Sequence, residues 1–372
     1  MHTKKTDITY VFGFGRSNLI SSNENFADEF FYGYFNFLNN KNVNFIEFKE
    51  LKGKNLIYFI SKIFRKFSKL SFFFENICSI KNFKLLWNTN NIIATNDRIG
   101  ISLLPFLIIY KLFKINKVTI ITMGLLAKET NNILSHILQR FLLTIFFYFG
   151  TNFIFLSKGE YIQAQMSYEK FNQKFHFIPF CIDTDFWQKD TTKKTELNKI
   201  IFIGNDGRRE YDLVVKIAKE LPEYNFIFIT SNINKLDLQS SNVELIKGSW
   251  NNRLLTDQEL KEYYEESVIS IIPIRNTYQP SGQSVALQSM SMNVPVLITD
   301  TIGFWDKSMF KNEQNIFFVK DNNLKTWTDE IKKRLANINK LNLVTKNANI
   351  TVKNFYNSKL FYNSLNEIIF NS

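Results

Sequence analysis

Three places in the chain have residue types and spacings that could bind or transfer something. The first is Pro280-Ser-Gly-Gln-Ser284, which lies between an apolar run ending at Ile272 and a helical pattern over Gln283–Met292. A strand that passes through a Pro-Ser-Gly loop into a helix leaves the N–H groups of Gly282, Gln283 and Ser284 at a helix N-terminus. Such an end carries about +0.5 charge and binds anions. Ser281 belongs to the same loop, and Gln288 follows about one turn into the helix, towards the same side. A well-capped helix between two strands is the plain reading. The added question is whether a diphosphate sits on the cap. The second place is Gly204-Asn-Asp-Gly-Arg-Arg-Glu-Tyr-Asp212, directly after the strand-like run Lys199–Ile203. Gly204 and Asn205 at a strand end, with Arg208 and Arg209 before a helix start, make a phosphate cradle, because Arg gives phosphate two parallel hydrogen bonds. Alone, the segment reads equally well as a solvated turn. The third is Gly13-Phe-Gly15, after the run Ile8–Phe12. A dinucleotide fingerprint needs a third glycine where Asn18 stands. The pair Gly13 and Gly15 therefore reads as a tight strand-to-helix turn with room for a ligand beside the backbone.

Metal and nucleophile chemistry find less material. Asp183-Thr-Asp185 imitates the Asp-x-Asp that holds a divalent ion in some sugar transferases, but it follows Ile178-Pro179 at a junction, where capping a turn is the simpler role. Cys78 and Cys181 are far apart, and the histidines are His2, His136 and His176. No disulfide framework, zinc module or histidine metal centre is expected from these, and a reducing compartment fits. We expect no metal and no cofactor.

The elements that must position these loops alternate in type. Strand-like runs at Ile8–Phe12, Val43–Phe48, Asn91–Thr95, Lys117–Thr122 and Asn152–Leu156 alternate with helical stretches such as Ile99–Phe113 and Asn132–Phe149. After Phe177-Ile-Pro-Phe-Cys-Ile-Asp-Thr-Asp-Phe-Trp187 comes the polar stretch Gln188–Asn198, and then the pattern restarts. Runs at Lys199–Ile203, Phe226–Thr230, Val243–Ile246, Val268–Ile272, Val294–Thr299 and Ile316–Val319 read as strands. Helices are expected over Glu210–Leu221, Asp257–Glu266, Gln283–Met292, Leu324–Ala336 and, at the end, about Ser358–Phe370. Strands alternating with helices predict parallel sheets covered on both faces. The fold class is therefore α/β, two Rossmann-like domains in tandem with a cleft between them. The divisions expected are 1–180, a linker over 181–198, a second domain over 199–355, and a C-terminal helix over 356–372 that packs back towards the first domain. A length of 372 residues fits two domains.

The stretch Leu56–Phe74 predicts an amphipathic helix. Leu56, Phe59, Ile60, Ile63, Phe67, Leu70 and Phe74 share one face; Lys62, Arg65, Lys66 and Lys69 share the other. Such a helix can lie on an anionic membrane or cover a sheet with its charges solvated. Phe141–Leu156 is too short to span a bilayer and is broken by Thr144, Gly150, Thr151 and Asn152. The opening MHTKKTDITYVFGFG does not read as a signal peptide, because its apolar run is short and interrupted by glycine. A cytoplasmic protein, peripheral on the inner membrane face, is expected. The 46 Lys+Arg against 34 Asp+Glu give a net +12, which raises nucleic-acid binding as a rival function. The basic residues are spread through both halves and form no nucleic-acid motif, so no nucleic-acid partner is expected.

The second half resembles a known family. Ser281-Gly-Gln through Met290-Ser-Met-Asn-Val-Pro-Val looks like the donor-binding segment of GT-B glycosyltransferases, in the large retaining branch that uses nucleotide sugars (group 1, family 4 like). That branch carries Glu-Gly-Phe-Gly followed by Glu-Ala-Met-Ala-x-Gly-x-Pro-Val. Gln288-Ser-Met-Ser-Met-Asn-Val-Pro295 matches the latter part, and Phe177 to Phe186 resembles the interdomain segment Ile-Pro-Asn-Gly-Val-Asp-x-x-x-Phe. The resemblance implies transfer of a hexose from a nucleotide-diphosphate sugar to a glycan or lipid-linked glycan, with retention and without metal. Arg208 and Arg209 would hold the diphosphate and stabilise its leaving charge, helped by Gln283. Gly204, Asn205, Ser281, Gly282 and Ser284 would line the donor site, Gln288 would bond the ribose hydroxyls, and Gly13 and Gly15 would lie on the acceptor side. The family's paired acids fall at Pro280 and Gln288, neither of which is acidic. This departure leaves open a catalytically weakened relative that binds a nucleotide or glycan.

Overall fold

The computed structural model describes residues 5–22, 24–49, 56–113, 116–130, 132–190, 192, 196–238, 240–248 and 254–371. The chain forms two compact units. One comprises residues 1–23, 30–179 and 361–372; the other comprises 24–29 and 180–360.

The first unit is built on a six-stranded sheet of β1 (Thr6–Phe12), β2 (Val43–Glu47), β3 (Thr89–Ala94), β4 (Lys117–Thr122), β5 (Asn152–Phe155) and β6 (Phe175–Phe177), in the order β2-β1-β3-β4-β5-β6. Every pairing is parallel; Tyr10, for example, lies opposite Phe45 on one side and Ile93 on the other. Strands covered on both faces must be apolar throughout, and β5 is buried along its whole length. The abundant Phe fills this interior with edge-to-face pairs, such as Phe147 against Phe153 at 4.9 Å. The helix expected over Ile99–Phe113 is two helices, Asp97–Ser102 and Leu104–Phe113. Pro105 has no N–H to donate back into the preceding turn and is tolerated only in a first turn, so a new helix starts there.

The helix expected over Leu56–Phe74 ends at Ser68. Leu70 and Phe74 are buried, but beyond the helix. Lys69 adopts a left-handed conformation (φ 59°) that turns the chain inward. Arg65 is not one of a row of solvated cations. Its Nη1 donates to Glu75 Oε1 at 2.9 Å and also to the Phe72 carbonyl.

The second unit repeats the plan with β7 (Lys199–Ile203), β8 (Asn225–Ile229), β9 (Val243–Ile246), β10 (Ile269–Ile272), β11 (Val296–Thr299) and β12 (Phe317–Val319), in the order β12-β11-β10-β7-β8-β9. All pairings are again parallel. Residues 181–198, expected as a linker, fall within this unit. Ile182 pairs with Asn357, and Trp187 is fully buried, so the apolar spacing of Ile182, Phe186 and Trp187 makes core rather than tether. Positions 191 and 193–195 of that stretch lie outside the described residues. The Ile338–Phe355 helix was not anticipated, since its many Asn residues mask the buried stripe Leu341, Val344, Ala348 and Val352.

Candidate functional site

The C-terminal ends of β7 and β10 bring the two sequence-predicted loops together. β10 and β7 are parallel neighbours, so both chains leave the sheet at the same edge. Such carboxyl ends are where open α/β sheets bind ligands. Beyond β7, Gly204 has room only because it lacks a Cβ; one there would stand 2.6 Å from Arg209 Nε. Arg209 therefore folds back over the strand end, is buried, and donates from Nη1 to Asp206 Oδ2 at 2.9 Å. Its backbone pairs with Ile274, just beyond β10. Arg208 is half-buried and donates from Nε to Gln279 Oε1 at 3.1 Å. The Arg275 N–H donates to the Arg208 carbonyl at 2.8 Å. Both arginines are thus pinned to the loop that leads into Pro280.

That loop ends at Gly282, which has φ +78° and starts the Gln283–Ser291 helix without a side-chain cap. Two constraints require glycine: the left-handed backbone, and Ile272 Cγ2, which would lie 2.8 Å from an added Cβ. Ser281 is 7% exposed, and its Oγ is a buried hydroxyl with no hydrogen-bond partner among the described residues. A buried hydroxyl left unpaired costs free energy unless a ligand or water satisfies it. Gln283 is buried and Ser284 half-buried, as the first residues of the helix. Arg208, Arg209, Ser281, Gly282, Gln283 and Ser284 accordingly share one corner.

Asn205 and Gln288 are placed differently. The Asn205 side chain accepts from the Ser231 N–H at 2.6 Å and from Thr230 Oγ1 at 3.3 Å, tying the β7 loop to the end of β8. Gln288 does not present a free amide to a ribose, as expected above. It is buried; its Nε2 donates to Glu29 Oε1 at 2.8 Å, and its Oε1 accepts from the Tyr264 hydroxyl at 3.2 Å. Glu29 belongs to the short segment 24–29 of this unit. The same Oε1 accepts from Trp187 Nε1 at 3.0 Å, and Oε2 accepts from the Asp183 N–H at 3.3 Å. Burial pushes the Glu29 carboxyl up to about 8, against the lowering effect of its hydrogen bonds from Gln288 and Trp187. Glu29, Trp187 and Tyr264 gave no sequence signal, because Glu29 meets Gln288 across 259 positions.

Asp183 caps a turn, its Oδ1 accepting from the Asp185 and Phe186 N–H groups at 3.1 and 3.0 Å. Asp185 pairs with Lys359 at 2.9 Å. Among the described residues, no group of three or more His, Cys, Asp or Glu is placed to hold a metal ion. In the first unit, Gly15 (φ +87°) opens the Arg16–Ile20 helix. The Glu47 carboxylate already fills that helix end, accepting from the N–H groups of Arg16 and Ser17. Gly13 retains open space, with Asn96 Nδ2 the nearest atom to an added Cβ at 3.7 Å.

Residues 183–350 match the family model of glycosyl transferases group 1. Over this stretch, which is under half of its length, the chain is similar to the group 1 glycosyltransferases. The stretch contains the whole corner built by Arg208, Arg209 and Gly282, and the Gln288 network apart from Glu29. No curated protein sequence matches the chain. Several solved structures share the chain's fold over nearly all of its length. A glycosyltransferase from Rickettsia africae is 12% identical, with 99% of this chain and 98% of that one covered and a TM-score of 0.64. Alr3699/HepE from Anabaena, solved with UDP-glucose, is 9% identical, with 99% and 100% covered and a TM-score of 0.67. A sucrose-phosphate synthase from Thermosynechococcus elongatus is 11% identical, with 98% of each chain covered and a TM-score of 0.69. At such identities the likeness is one of fold: the chain has the tandem Rossmann-like architecture of GT-B enzymes.

Proposed function

We propose that the transferase moves a hexose from a nucleoside-diphosphate sugar to a glycan or lipid-linked glycan in the cytoplasm, with retention and without a metal. The observation that carries this reading is the buried, unpartnered Ser281 hydroxyl beside the uncapped Gly282 helix start, with Arg208 and Arg209 tied to the same loop. Backbone N–H groups, a hydroxyl and two guanidinium groups are donors suited to a diphosphate. Held in fixed positions, they stabilise the charge that grows on the leaving diphosphate as the bond to the sugar breaks, which is the work a divalent ion does elsewhere. Asp206 holds Arg209 in place for this. The nucleotide complexes of Alr3699/HepE make UDP-glucose the first probe.

The test is a calorimetric titration of the full chain with UDP and UDP-glucose, followed by assay of sugar release. Saturable binding that is lost in the Arg208→Ala/Arg209→Ala double variant supports the reading. A double variant that binds like the wild type removes it. Gln288, bound into the Glu29 network, favours a second reading: a nucleotide-binding relative with weakened turnover. Tight binding without sugar release or transfer would select it.

A further inference from the structure

The Leu56–Ser68 helix is turned opposite to the usual pattern. Its small polar residues Ser61 and Ser68 are buried and Phe64 packs on the core beside them, while most of its apolar residues face solvent: Leu56, Phe59, Ile60, Ile63 and Phe67 are all exposed, Ile63 at 57%. The buried serines are fully used. Ser61 Oγ accepts from the Phe74 N–H at 3.2 Å, Ser68 Oγ donates to the Phe64 carbonyl at 2.6 Å, and the Ser68 carbonyl accepts from Gln139 Nε2 at 3.1 Å. This side is the seat of the helix, so the outward apolar stripe is fixed by the packing. Gln139 lies on the Ile133–Phe149 helix, whose first half shows the same arrangement, whereas Leu142, Leu143, Phe146 and Phe147 further along are buried. In that first half Ser135 and Gln139 are buried, whereas Ile133, Leu134, Ile137 and Phe141 are exposed, Leu134 at 76%. Isolated exposed apolar residues are ordinary, but two helices in contact that both turn such stripes outward mark an interaction surface.

We infer that the outward faces of these two helices form a docking surface for an anionic membrane. Charge decides the occupant. Lys62 and Lys66 on one helix, Lys69 just past its end and Arg140 on the other helix are exposed, and neither helix contains an acidic residue. A second copy of the chain on a two-fold axis would bring these like charges against one another as the surface was desolvated. An anionic bilayer instead offers opposite charge at the headgroups and apolar volume just below them, the geometry of an interfacial helix. Among the described residues, no helix is long and apolar enough to cross a membrane, so the surface lies on the bilayer and does not span it. The inference uses no part of the donor site and stands apart from the transfer reading.

The test is co-sedimentation of the full chain with phosphatidylcholine vesicles, with and without phosphatidylglycerol. We expect binding to the anionic vesicles and little to the neutral ones. Each cation near an anionic surface strengthens binding about fivefold, so Lys62→Gln/Lys66→Gln/Lys69→Gln together should lower partitioning roughly 100-fold. Ile63→Asp and Ile137→Asp should also abolish binding without lowering the melting temperature, since both side chains are already in solvent. Arg65 is left intact because of its pairing with Glu75. Ile63→Trp should show a blue-shifted emission on adding anionic vesicles. Wild-type protein that stays in the supernatant overturns the proposal. So does wild-type sedimentation of the Ile63→Asp and Ile137→Asp variants, which would show charge-only adsorption. A dimer in solution that these same substitutions abolish overturns it too, by assigning the face to a second copy.

Discussion

Glu29 makes the stability of the second unit depend on pH in a direction opposite to that of a paired surface carboxylate. Its carboxyl titrates at about 8 in the folded chain, against an ordinary value of 4.5. Between those values the folded state holds a proton that the unfolded state has released. Stability contributed by that proton is fully present below the unfolded value and is lost as pH rises towards 8, by up to about 1.4 kcal/mol per pH unit. From about pH 6 to about pH 8 the loss is roughly 2 kcal/mol. Glu29→Gln keeps an acceptor for Trp187 Nε1 and Gln288 Nε2 but cannot titrate, so it should remove this slope and be more stable than the wild type at high pH. Glu29→Ala leaves both donors without that acceptor and should cost about 2–4 kcal/mol at every pH. Urea unfolding followed by tryptophan emission reads the right unit, because Trp187, Trp305 and Trp327 are all buried in it. The difference between wild type and Glu29→Gln cancels other titrating groups. Equal slopes in the two proteins would show that Glu29 is not held protonated in the folded chain.

Arg209→Ala should lower kcat/KM by about 2–4 kcal/mol in transition-state terms, the scale of a charge-assisted contact plus its electrostatic share of catalysis; steady-state kinetics on UDP-glucose checks this. Gln288→Leu should lower the melting temperature, since the Glu29 carboxyl and Tyr264 hydroxyl both lose a partner, at about 1–3 kcal/mol. Gln288→Glu, which restores the residue typical of the family, puts a second carboxyl against Glu29, so its stability should fall further as pH rises; melting curves across pH read both variants. Turnover should survive EDTA, because Asp183 and Asp185 are committed to a turn and to Lys359; loss restored by manganese would contradict that assignment.

Most of the sheet scaffold was legible because strands covered on both faces must be apolar over most of their length, as 200–203 and 153–155 are. The Pro280–Gly282 turn and the Arg208–Arg209 loop were legible because glycine and proline punctuate strand ends, and topology then placed the loops side by side. Edge strand β6 was not, since Phe175–Phe177 is too short to show a period. The role of Gln288 was hidden for another reason: whether a helix residue faces a ligand or the interior depends on what packs over it. Here that is Glu29, a distant acid that no local pattern links to the helix. The orientation of the Leu56–Ser68 helix was likewise ambiguous. Its apolar stripe would serve a core or a membrane equally, and only the buried Ser61 and Ser68 show that the stripe is not the side that packs on the unit.

The central claim is that a nucleotide diphosphate sits on the Gly282 helix start under Arg208 and Arg209. Protein-detected NMR or calorimetric titration with UDP tests it most directly when wild type is compared with Ser281→Ala and with Arg208→Ala/Arg209→Ala. Saturable UDP binding is expected, which Ser281→Ala weakens by about 1–3 kcal/mol and the double arginine variant abolishes, with all three chains folded. UDP binding of equal strength in all three would place the nucleotide elsewhere and contradict the account.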